Sequence, residues 1–252
     1  MSGSVTMQNR QGICTITFEH PSHNSLPGNL LRELTDAISS AGQEDDVHVI
    51  VLKSGGDRTF CAGASFDELI AIEDADTGKS FFMGFANVIN ACRTCPKLII
   101  GRVQGKAVGG GVGLASATDI CYATKYSAVK LSELAVGIGP FVVGPAVERK
   151  LGLAAFSQLA IDARNWQNAY WARDKGLYAE VFDSVDEMDD AIEKLAQQLL
   201  DSNPQARADL KRIFWSGTDH WGKLLEERAV KSGQLILSPF SKSAIAKFKS
   251  KA

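Results

Sequence analysis

The sequence has almost no net charge and no long apolar run. Its 252 residues include 27 Lys and Arg against 29 Asp and Glu, which gives a formal net charge of -2 and a pI near 6.1. A surface without an overall positive field gives no reason to expect nucleic-acid binding. No apolar stretch is long enough to span a bilayer, and the amino terminus "MSGSVTMQNR" lacks the apolar segment of a signal peptide. We therefore expect a cytoplasmic protein with no membrane partner.

Cysteine and histidine are too few and too scattered for a disulfide framework or a metal site. Five cysteines, an odd number, lie mostly in apolar contexts, which favours reduced, buried thiols. Cys92 and Cys95 have the spacing of a redox motif, but no second pair completes a zinc site, and packing near a helix end is the favoured interpretation. The four histidines show no ligand spacing. We expect neither a metal nor a redox cofactor.

Apolar periodicity predicts alternating strands and helices in the first 140 residues. Four segments alternate or run apolar as strands do: "ICTITFEH" from Ile13, "VHVIVLK" from Val47, "KLIIGRV" from Lys97 and "ICYAT" from Ile120. Between the first two, apolar residues recur at helical spacing from Leu30 to Ile38, and Gly42 follows as a stop signal. A repeated alternation of this kind is typical of an α/β fold.

The chain changes character beyond Pro140. From Ala146 to Ala252 the pattern predicts helices almost throughout, with apolar stripes that suit packing against the α/β core or another subunit. No low-complexity linker separates the two parts. We divide the chain into a core domain over residues 1–195 and a helical carboxyl-terminal region over residues 196–252.

Three consecutive glycines stand ahead of a small-residue helix in "KAVGGGVGLASA". One interpretation is a dinucleotide-binding fingerprint, since Gly109 and Gly111 follow a strand and open a helix. That fingerprint requires a third small residue where Leu114 stands, and it places its glycines directly at the strand end, whereas "QGKA" intervenes here. Nucleotide binding is therefore disfavoured.

The amides at the start of the glycine-rich helix suit a developing negative charge. Such amides have no partner within the helix, and the helix dipole adds to their attraction for an anion. An earlier loop, "SGGDRTFCAGAS", ends in Ala62, Gly63 and Ala64 ahead of the helical "SFDELIAI" and offers the same arrangement. Two loops that each present one amide to a single oxygen would form an oxyanion hole. A tight packing point between strand and helix is the alternative explanation of the glycines.

Several motifs, in order along the chain, resemble those of the crotonase superfamily of enoyl-CoA hydratases and isomerases. They are "HNSLPGNLLREL" near the amino terminus, "FCAGAS" at 60–65, "GKAVGGGVGLASATDI" at 105–120 and "KLSELAVGIGP" at 130–140. The resemblance runs over about residues 10 to 180. It implies a crotonase-type spiral of β-β-α turns with a helical carboxyl-terminal trimerisation region, assembled as a homotrimer or hexamer.

The resemblance also implies an acyl-CoA thioester as substrate, with CoA entering as part of the substrate and no separate cofactor. The family's two oxyanion amides fall on Ala64 and Gly110, which would hold the thioester oxygen as it becomes an enolate. The segments "FFMGFANVI" and "GPFVVGP" would line an apolar acyl pocket. The other predicted substrate-binding residues adjoin the oxyanion loops or the CoA side of the site: Ser25, Leu26, Ala62, Gly63, Phe66 and Gly109.

The acid and base residues decide which reaction the resemblance implies. The family's hydratases carry two glutamates, and here the first position holds Gly113 while the second holds Glu133. Two facing carboxylates orient and activate water well, whereas one suffices to move a proton from the α to the γ carbon of a 3-enoyl thioester. Apolar neighbours in "LSELAVGIGP" predict that the pKa of Glu133 is raised toward neutrality. We expect Δ3,Δ2-enoyl-CoA isomerisation with Glu133 as the single catalytic base.

Other activities stay open at this point. Family decarboxylases also stabilise an enolate without paired glutamates, and a diverged hydratase or a non-catalytic acyl-CoA-binding subunit would keep the same fold. Dienoyl-CoA isomerases are disfavoured because Phe141 occupies the position of their additional acid. Glu133 could instead cap the next segment or pair with a base, and Asp67, Glu68 and Asp119 are alternative acids.

One loop departs from the family's pattern. Ser65 replaces the aspartate that is usual after the "AGA" turn, and Asp67 stands where many relatives place a basic residue. The CoA phosphates would therefore be bound by lysines or arginines elsewhere. The carboxyl-terminal "FSKSAIAKFKSK" of a neighbouring subunit is one source of such lysines.

Overall fold

A six-stranded sheet lies at the centre of the structure, a computed structural model that describes residues 3–249. In spatial order its strands are β1 (Ser4–Arg10), β2 (Ile13–Glu19), β3 (Val49–Ser54), β5 (Leu98–Val103), β7 (Ile120–Thr124) and β10 (Glu180–Phe182). All neighbours pair in parallel except β1 and β2, which form an antiparallel pair. The four strands predicted from apolar periodicity are β2, β3, β5 and β7.

A second, four-stranded sheet is built from much shorter strands. In spatial order they are β4 (Thr59–Cys61), β6 (Lys106–Val108), β8 (Ala128–Lys130) and β9 (Gln167–Asn168). The first three run parallel, and β9 is antiparallel to β8. This sheet was not predicted, because strands of two or three residues are too short to show an alternating pattern.

Helices fill the space around the two sheets. Those in residues 3–249 are α1 (Gly28–Gln43), α2 (Phe66–Ala71), α3 (Ala75–Thr94), α4 (Gly110–Ala117), α5 (Gly144–Ile161), α6 (Ala169–Asp174), α7 (Val185–Leu200), α8 (Pro204–Phe214), α9 (Trp221–Leu235) and α10 (Pro239–Lys249). A short 3-10 helix, Glu133–Val136, follows β8. In α1 the predicted stripe from Leu30 to Ile38 is the buried face.

From β3 onward the chain alternates between the two sheets. Each of β3, β5 and β7 is followed by one short strand of the second sheet, and a helix follows that short strand. This repeated succession of two strands and a helix is the β-β-α spiral predicted for the chain.

Strand β3 shows how one sequence pattern builds two core layers. Ile50 and Leu52 belong to the large core on one side of the sheet. Val49 and Val51 point to the other side, where they pack with the apolar stripe of α7 that begins at Met188. Successive side chains of a strand alternate between faces, so a strand that is apolar throughout is buried on both.

The prediction of an almost wholly helical chain beyond Ala146 is wrong at two places. Residues 167–168 form β9, and residues 180–182 form β10 on the edge of the large sheet, beside β7. Both strands are defined by their pairing with a neighbouring strand, β9 with β8 and β10 with β7, because two or three residues are too few to show an alternating pattern. The predicted boundary at residue 195 falls inside α7, and the division into 1–195 and 196–252 stays a prediction.

A buried ion pair fixes the carboxyl-terminal helices to the large sheet. The Lys211 ammonium in α8 lies 2.7 Å from Asp119 Oδ2 just before β7, and the two side chains are only 2% and 3% exposed. The same carboxylate accepts hydrogen bonds from the backbone amide of Ile99 at 2.7 Å and from the indole of Trp215 at 2.9 Å. Asp119, considered as an alternative acid, is therefore a structural residue far from solvent.

The cysteines are packing residues. All five are buried and none is in a disulfide, as predicted for Cys92 and Cys95. Burial raises the pKa of Cys61, Cys92 and Cys121 to about 12, so these thiols stay protonated. Over residues 3–249, no helix combines the length and the apolar character that a bilayer crossing requires.

Candidate active site

Three loops meet where the parallel strands of the second sheet end. Strand β4 leads into Ala62–Ala64, β6 into Gly109, and β8 into Ser132 and Glu133. Because β4, β6 and β8 are parallel neighbours, their carboxyl ends lie at one edge, which is where open parallel sheets bind ligands. The Gly109 amide donates a hydrogen bond to the Lys130 carbonyl oxygen at 2.8 Å and so ties two of the loops together.

The three loops enclose a small cavity of about 60 Å³ that is partly open to solvent. Among the predicted site residues, those that line it are Ala62, Gly63, Ala64, Phe66, Gly109, Gly110 and Glu133. The predicted acyl-pocket segments contribute Phe82, Phe85, Phe141, Val142 and Val143. Apart from Glu133, the side chains of the lining are apolar or carry only the hydroxyl of Ser132 or Ser232.

Two backbone amides in the cavity wall have no acceptor. The amides of Ala64 and Gly110 donate no hydrogen bond within residues 3–249. Gly63, at a φ of 86°, brings their loops into contact, since a Cβ on it would lie 2.8 Å from the Val108 carbonyl oxygen and 3.6 Å from the Gly110 nitrogen. Gly110 is the first residue of α4, where an unpaired amide favours an anion, and together with the unpaired Ala64 amide it makes this wall of the cavity suit a negatively charged oxygen.

Gly110 is also required by packing. A Cβ at this position would overlap the aromatic ring of Phe85 on α3. The preceding Gly109 adopts a φ of 52° and a ψ of -113°, a conformation that is strained for any residue with a side chain. The glycine run therefore serves a sharp turn into α4 and a close approach of neighbouring groups, not a dinucleotide fingerprint.

Glu133 places its carboxyl group beside Gly109. A Cβ on Gly109 would lie 2.9 Å from Glu133 Oε1, so only glycine leaves room for the carboxyl. Glu133 Oε2 is out of contact with solvent and has no hydrogen-bond partner, and the side chain forms no ion pair within residues 3–249. Burial raises the pKa of Glu133 to about 7, against the small lowering effect of its own backbone amide.

The apolar setting of Glu133 differs in part from the prediction. Val136 and Ile138 are buried and line the cavity, as expected from "LSELAVGIGP". Leu134, however, points outward and is 51% exposed. The phenylalanines of α3 replace it in the cavity wall, and sequence periodicity around Glu133 gives no sign of them.

The second carboxylate position is closed by packing. Gly113, where the resemblance places a hydratase glutamate, does not line the cavity, whereas Val143 does. A Cβ on Gly113 would lie 2.5 Å from Val143 Cγ1 and 2.6 Å from Val143 Cβ. Any side chain at position 113 must therefore displace Val143, and the site is built around one carboxyl group.

Ser25 and Leu26 do not line the cavity. The Ser25 hydroxyl lies 3.1 Å from His20 Nδ1. The Leu26 amide donates to the Gly63 carbonyl oxygen at 2.8 Å, Leu26 forms an isolated bridge with Ala64, and its side chain is buried. Leu26 therefore supports the loop that carries the Ala64 amide, and the contact of Ser25 and Leu26 with the CoA part of the substrate stays a prediction.

The carboxyl-terminal helices complete the cavity, which the sequence did not indicate. Helix α9 contributes Ser232, whose side chain is almost fully buried. The helix lies close to α3 because Gly78 and Gly233 meet, with a Cβ on Gly78 only 2.8 Å from the Gly233 Cα. The Ser241 hydroxyl of α10 donates to the Gly137 carbonyl oxygen at 3.0 Å, just after the 3-10 helix of Glu133.

The spiral of two sheets and the cavity at the ends of β4, β6 and β8 define a crotonase-type α/β protein. The sequence profile described as "Enoyl-CoA hydratase/isomerase" matches residues 8–247. The chain belongs to the enoyl-CoA hydratase/isomerase family.

Curated relatives carry different activities. The chain is 30% identical over 215 residues to the Delta(3,5)-Delta(2,4)-dienoyl-CoA isomerase, peroxisomal, of Arabidopsis thaliana, covering 79% of this chain and 76% of that protein. It is 29% identical over 219 residues to a carnitinyl-CoA dehydratase of Proteus mirabilis, covering 85% of this chain and 81% of that protein. The fold matches the crystal structure of an enoyl-CoA hydratase from Bacillus halodurans with a TM-score of 0.88 at 19% identity, over 96% of this chain and 99% of that one.

Proposed function

We propose that the chain catalyses Δ3,Δ2-enoyl-CoA isomerisation with Glu133 as its single acid–base group. One observation carries the proposal. Among the described residues that line the cavity, only Glu133 has an ionisable side chain, and its carboxyl is unpaired with a pKa of about 7. A carboxyl with this pKa is ionised often enough to remove a proton at neutral pH and acidic enough, once protonated, to return it.

The reaction moves one proton and one double bond. The Glu133 carboxylate takes the α proton of the 3-enoyl thioester. The electron pair of that C–H bond forms a double bond between the α carbon and the carbonyl carbon, and the π electrons of the carbonyl move onto the thioester oxygen, which gives the dienolate. The amides of Ala64 and Gly110 hold this oxygen while it is negatively charged. Glu133 then returns the proton to the γ carbon, the electrons shift back, and the double bond lies conjugated with the thioester carbonyl.

Hydration is disfavoured because, among the described residues, no second ionisable side chain lines the cavity beside Glu133 to help activate water. A hydratase adds a proton and a hydroxyl group to the double bond, which two carboxylates share between them. Here Val143 fills the space next to Gly113 with an apolar side chain. The dienoyl-CoA isomerase relative raises a second candidate, but at the expected position of the additional acid this chain carries Phe141, which also lines the cavity.

Ultraviolet absorbance after mixing with a short 3-enoyl-CoA tests the proposal, since conjugation of the double bond with the thioester creates a new band. We expect the band to appear with the unmodified protein. In Glu133→Gln the rate at which it appears should fall by a factor of about 10² to 10⁴. Glu148→Gln, which neutralises an exposed glutamate on α5, is the matched control and is expected to behave as the unmodified protein.

The other activities give different results in the same experiment. A flat trace with 3-enoyl-CoA contradicts isomerisation. Loss of the conjugated-thioester absorbance of a 2-enoyl-CoA would then indicate a hydratase. Release of CO₂ from a β-carboxyl acyl-CoA would indicate a decarboxylase. Tight binding of a saturated acyl-CoA without any of these reactions would indicate a non-catalytic binding subunit.

A homotrimer, or a hexamer of two trimers, is the assembly we propose. Leu153, Ile161 and Ile213 are each more than three-fifths exposed, and their coverage by another subunit would remove apolar surface from water. Light scattering coupled to size exclusion should give about 81 kDa for a trimer, three times the 27.1 kDa chain.

Two further expectations stay predictions. The proposed phosphate-binding lysines of "FSKSAIAKFKSK" extend past residue 249 and lie in part outside the described residues. The cytoplasmic location is the other.

A further inference from the structure

A second apolar space lies directly behind the wall of the active-site cavity. It is a groove between the end of α2 and the carboxyl-terminal helices, with Ile70 and Ile72 on one side and Ile236 and Ile245 on the other, and its lining also includes the charged residues Glu73 and Lys242. Helices α2 and α10 pack against each other along it. Ile72, Ile236 and Ile245 are buried in its floor, whereas Ile70 is 45% exposed at its edge.

Leu69 separates the groove from the cavity. Among the described residues it is the only one that lines both spaces, and its side chain is only 6% exposed. Its backbone is fixed in α2, because the Leu69 amide donates to the Ser65 carbonyl oxygen at 3.0 Å. The next residue toward the amino terminus, Glu68, accepts a hydrogen bond from the Gly28 amide at 2.8 Å and holds α2 against α1.

Among the described residues, the side chains that form the other deep walls of the cavity are packed into the core. Phe82, Phe85, Val142 and Val143 are at most 9% exposed and belong to the main hydrophobic core. Protein cores are close-packed, so these side chains cannot give way to an acyl chain without a cost. An acyl chain that outgrows the cavity therefore finds apolar room past Leu69, in the groove.

We propose that Leu69 sets the length of the acyl group that the site accepts. With leucine at this position the cavity is closed at its acyl end, so the preferred substrates are short-chain acyl-CoA thioesters, and the groove beyond Leu69 stays unused. Truncation of Leu69 joins the groove to the cavity and admits longer chains. The inference rests on the proposed function only in taking an acyl-CoA as the ligand.

Binding of saturated acyl-CoA thioesters tests whether Leu69 acts as a gate that limits acyl-chain length, and it does so without requiring turnover. Isothermal titration calorimetry with acyl chains of four to twelve carbons is expected to show that the affinity of the unmodified protein stops rising at a chain length below ten carbons. In Leu69→Ala the affinity should continue to rise, by up to about fourfold for each further methylene that becomes buried. The ten-carbon thioester should therefore bind at least about tenfold more tightly to Leu69→Ala than to the unmodified protein.

Ile70→Ala is the matched control, since Ile70 is the neighbouring residue and lines the groove without lining the cavity. It should keep the chain-length profile of the unmodified protein. Leu69→Val, a smaller truncation, guards against loss of folding and should give an intermediate profile. An affinity that rises steadily to twelve carbons in the unmodified protein, or a profile that Leu69→Ala leaves unchanged, would overturn the proposal.

The proposal that Leu69 limits acyl-chain length and the proposal that Glu133 catalyses isomerisation can be refuted independently of each other. Turnover of six-carbon and twelve-carbon 3-enoyl-CoA is measured beside the titrations. The expected chain-length profile in binding, together with no turnover of any 3-enoyl-CoA, would refute isomerisation and support the gate. Turnover that depends on Glu133 but is equal for both chain lengths would support isomerisation and refute the gate.

Discussion

Replacement of Glu133 by glutamine should stabilise the protein at alkaline pH while it removes activity. Burial raises the pKa of the Glu133 carboxyl from 4.5 to about 7. In the unfolded chain the group ionises near pH 4.5, whereas in the folded protein it keeps its proton until about pH 7. The free energy of unfolding therefore falls as the pH rises through this window, and the loss is complete above about pH 7.

The size of the effect follows from the pKa difference. A change from 4.5 to about 7 corresponds to a loss of about 3 kcal/mol once the carboxyl is ionised in both states. Glutamine carries no charge, but its amide would occupy a place where Glu133 Oε2 already has no partner, which costs about 1 kcal/mol. The net gain for Glu133→Gln is therefore about 2 kcal/mol at pH 8, and close to zero at pH 5.

Thermal unfolding at pH 5 and pH 8, followed by circular dichroism at equal protein concentration, checks this prediction. A gain of about 2 kcal/mol in a chain of this size raises the Tm by roughly 4 to 8 °C. Glu148→Gln, on the exposed face of α5, should leave the Tm unchanged at both pH values. A Glu133→Gln variant that is less stable than the unmodified protein at pH 8, or equally stabilised at pH 5 and pH 8, would refute the reasoning.

Four further predictions follow from the site and the core. The kcat/KM for isomerisation should rise about tenfold per pH unit below pH 7 and then level off, because the base acts as its carboxylate, and a steady-state pH profile measures this. Gly113→Ala should lose about 1 to 3 kcal/mol of stability in denaturant titration, and Val143→Ala in the same chain should restore part of the loss by making room for the new methyl group. Lys211→Met should lose about 3 to 5 kcal/mol in the same titration, since the Asp119 carboxylate is left buried without its cation. Cys61 and the other buried thiols should react with an aromatic disulfide reagent only after denaturation, and rapid reaction of the native protein would contradict their burial.

The longer elements were predictable from the sequence because their signals are local. Strands β2, β3, β5 and β7 are apolar on one or both faces, and α1 shows its buried stripe at helical spacing. Strand β1 was missed because its last five residues are exposed and its apolar contact with the core is made by the partly buried Val5, so that its pairing with β2 defines it as a strand. The short strands of the second sheet depend in the same way on neighbours that are distant in the sequence.

The site was predictable where a motif fixes a local backbone conformation. The glycine run and the "AGA" turn predicted the amides of Gly110 and Ala64, the resemblance of "KLSELAVGIGP" predicted Glu133, and all three residues line one cavity. Leu69 and Ser232 were not predicted to line it, since only the packing of α2 and α9 brings them there. The role of Val143 beside Gly113 could not be seen either, because a contact between residues thirty positions apart leaves no periodic signal.

The most direct test of the single-base account is the fate of the α hydrogen. A 3-enoyl-CoA that carries deuterium at the α carbon is converted in ordinary water, and the first product formed is analysed by mass spectrometry and proton magnetic resonance. Because one buried carboxyl removes and returns the proton, the account predicts that part of the deuterium appears at the γ carbon of the product. Product whose γ carbon carries only hydrogen from water, even at the earliest times, would contradict a single solvent-shielded base at Glu133.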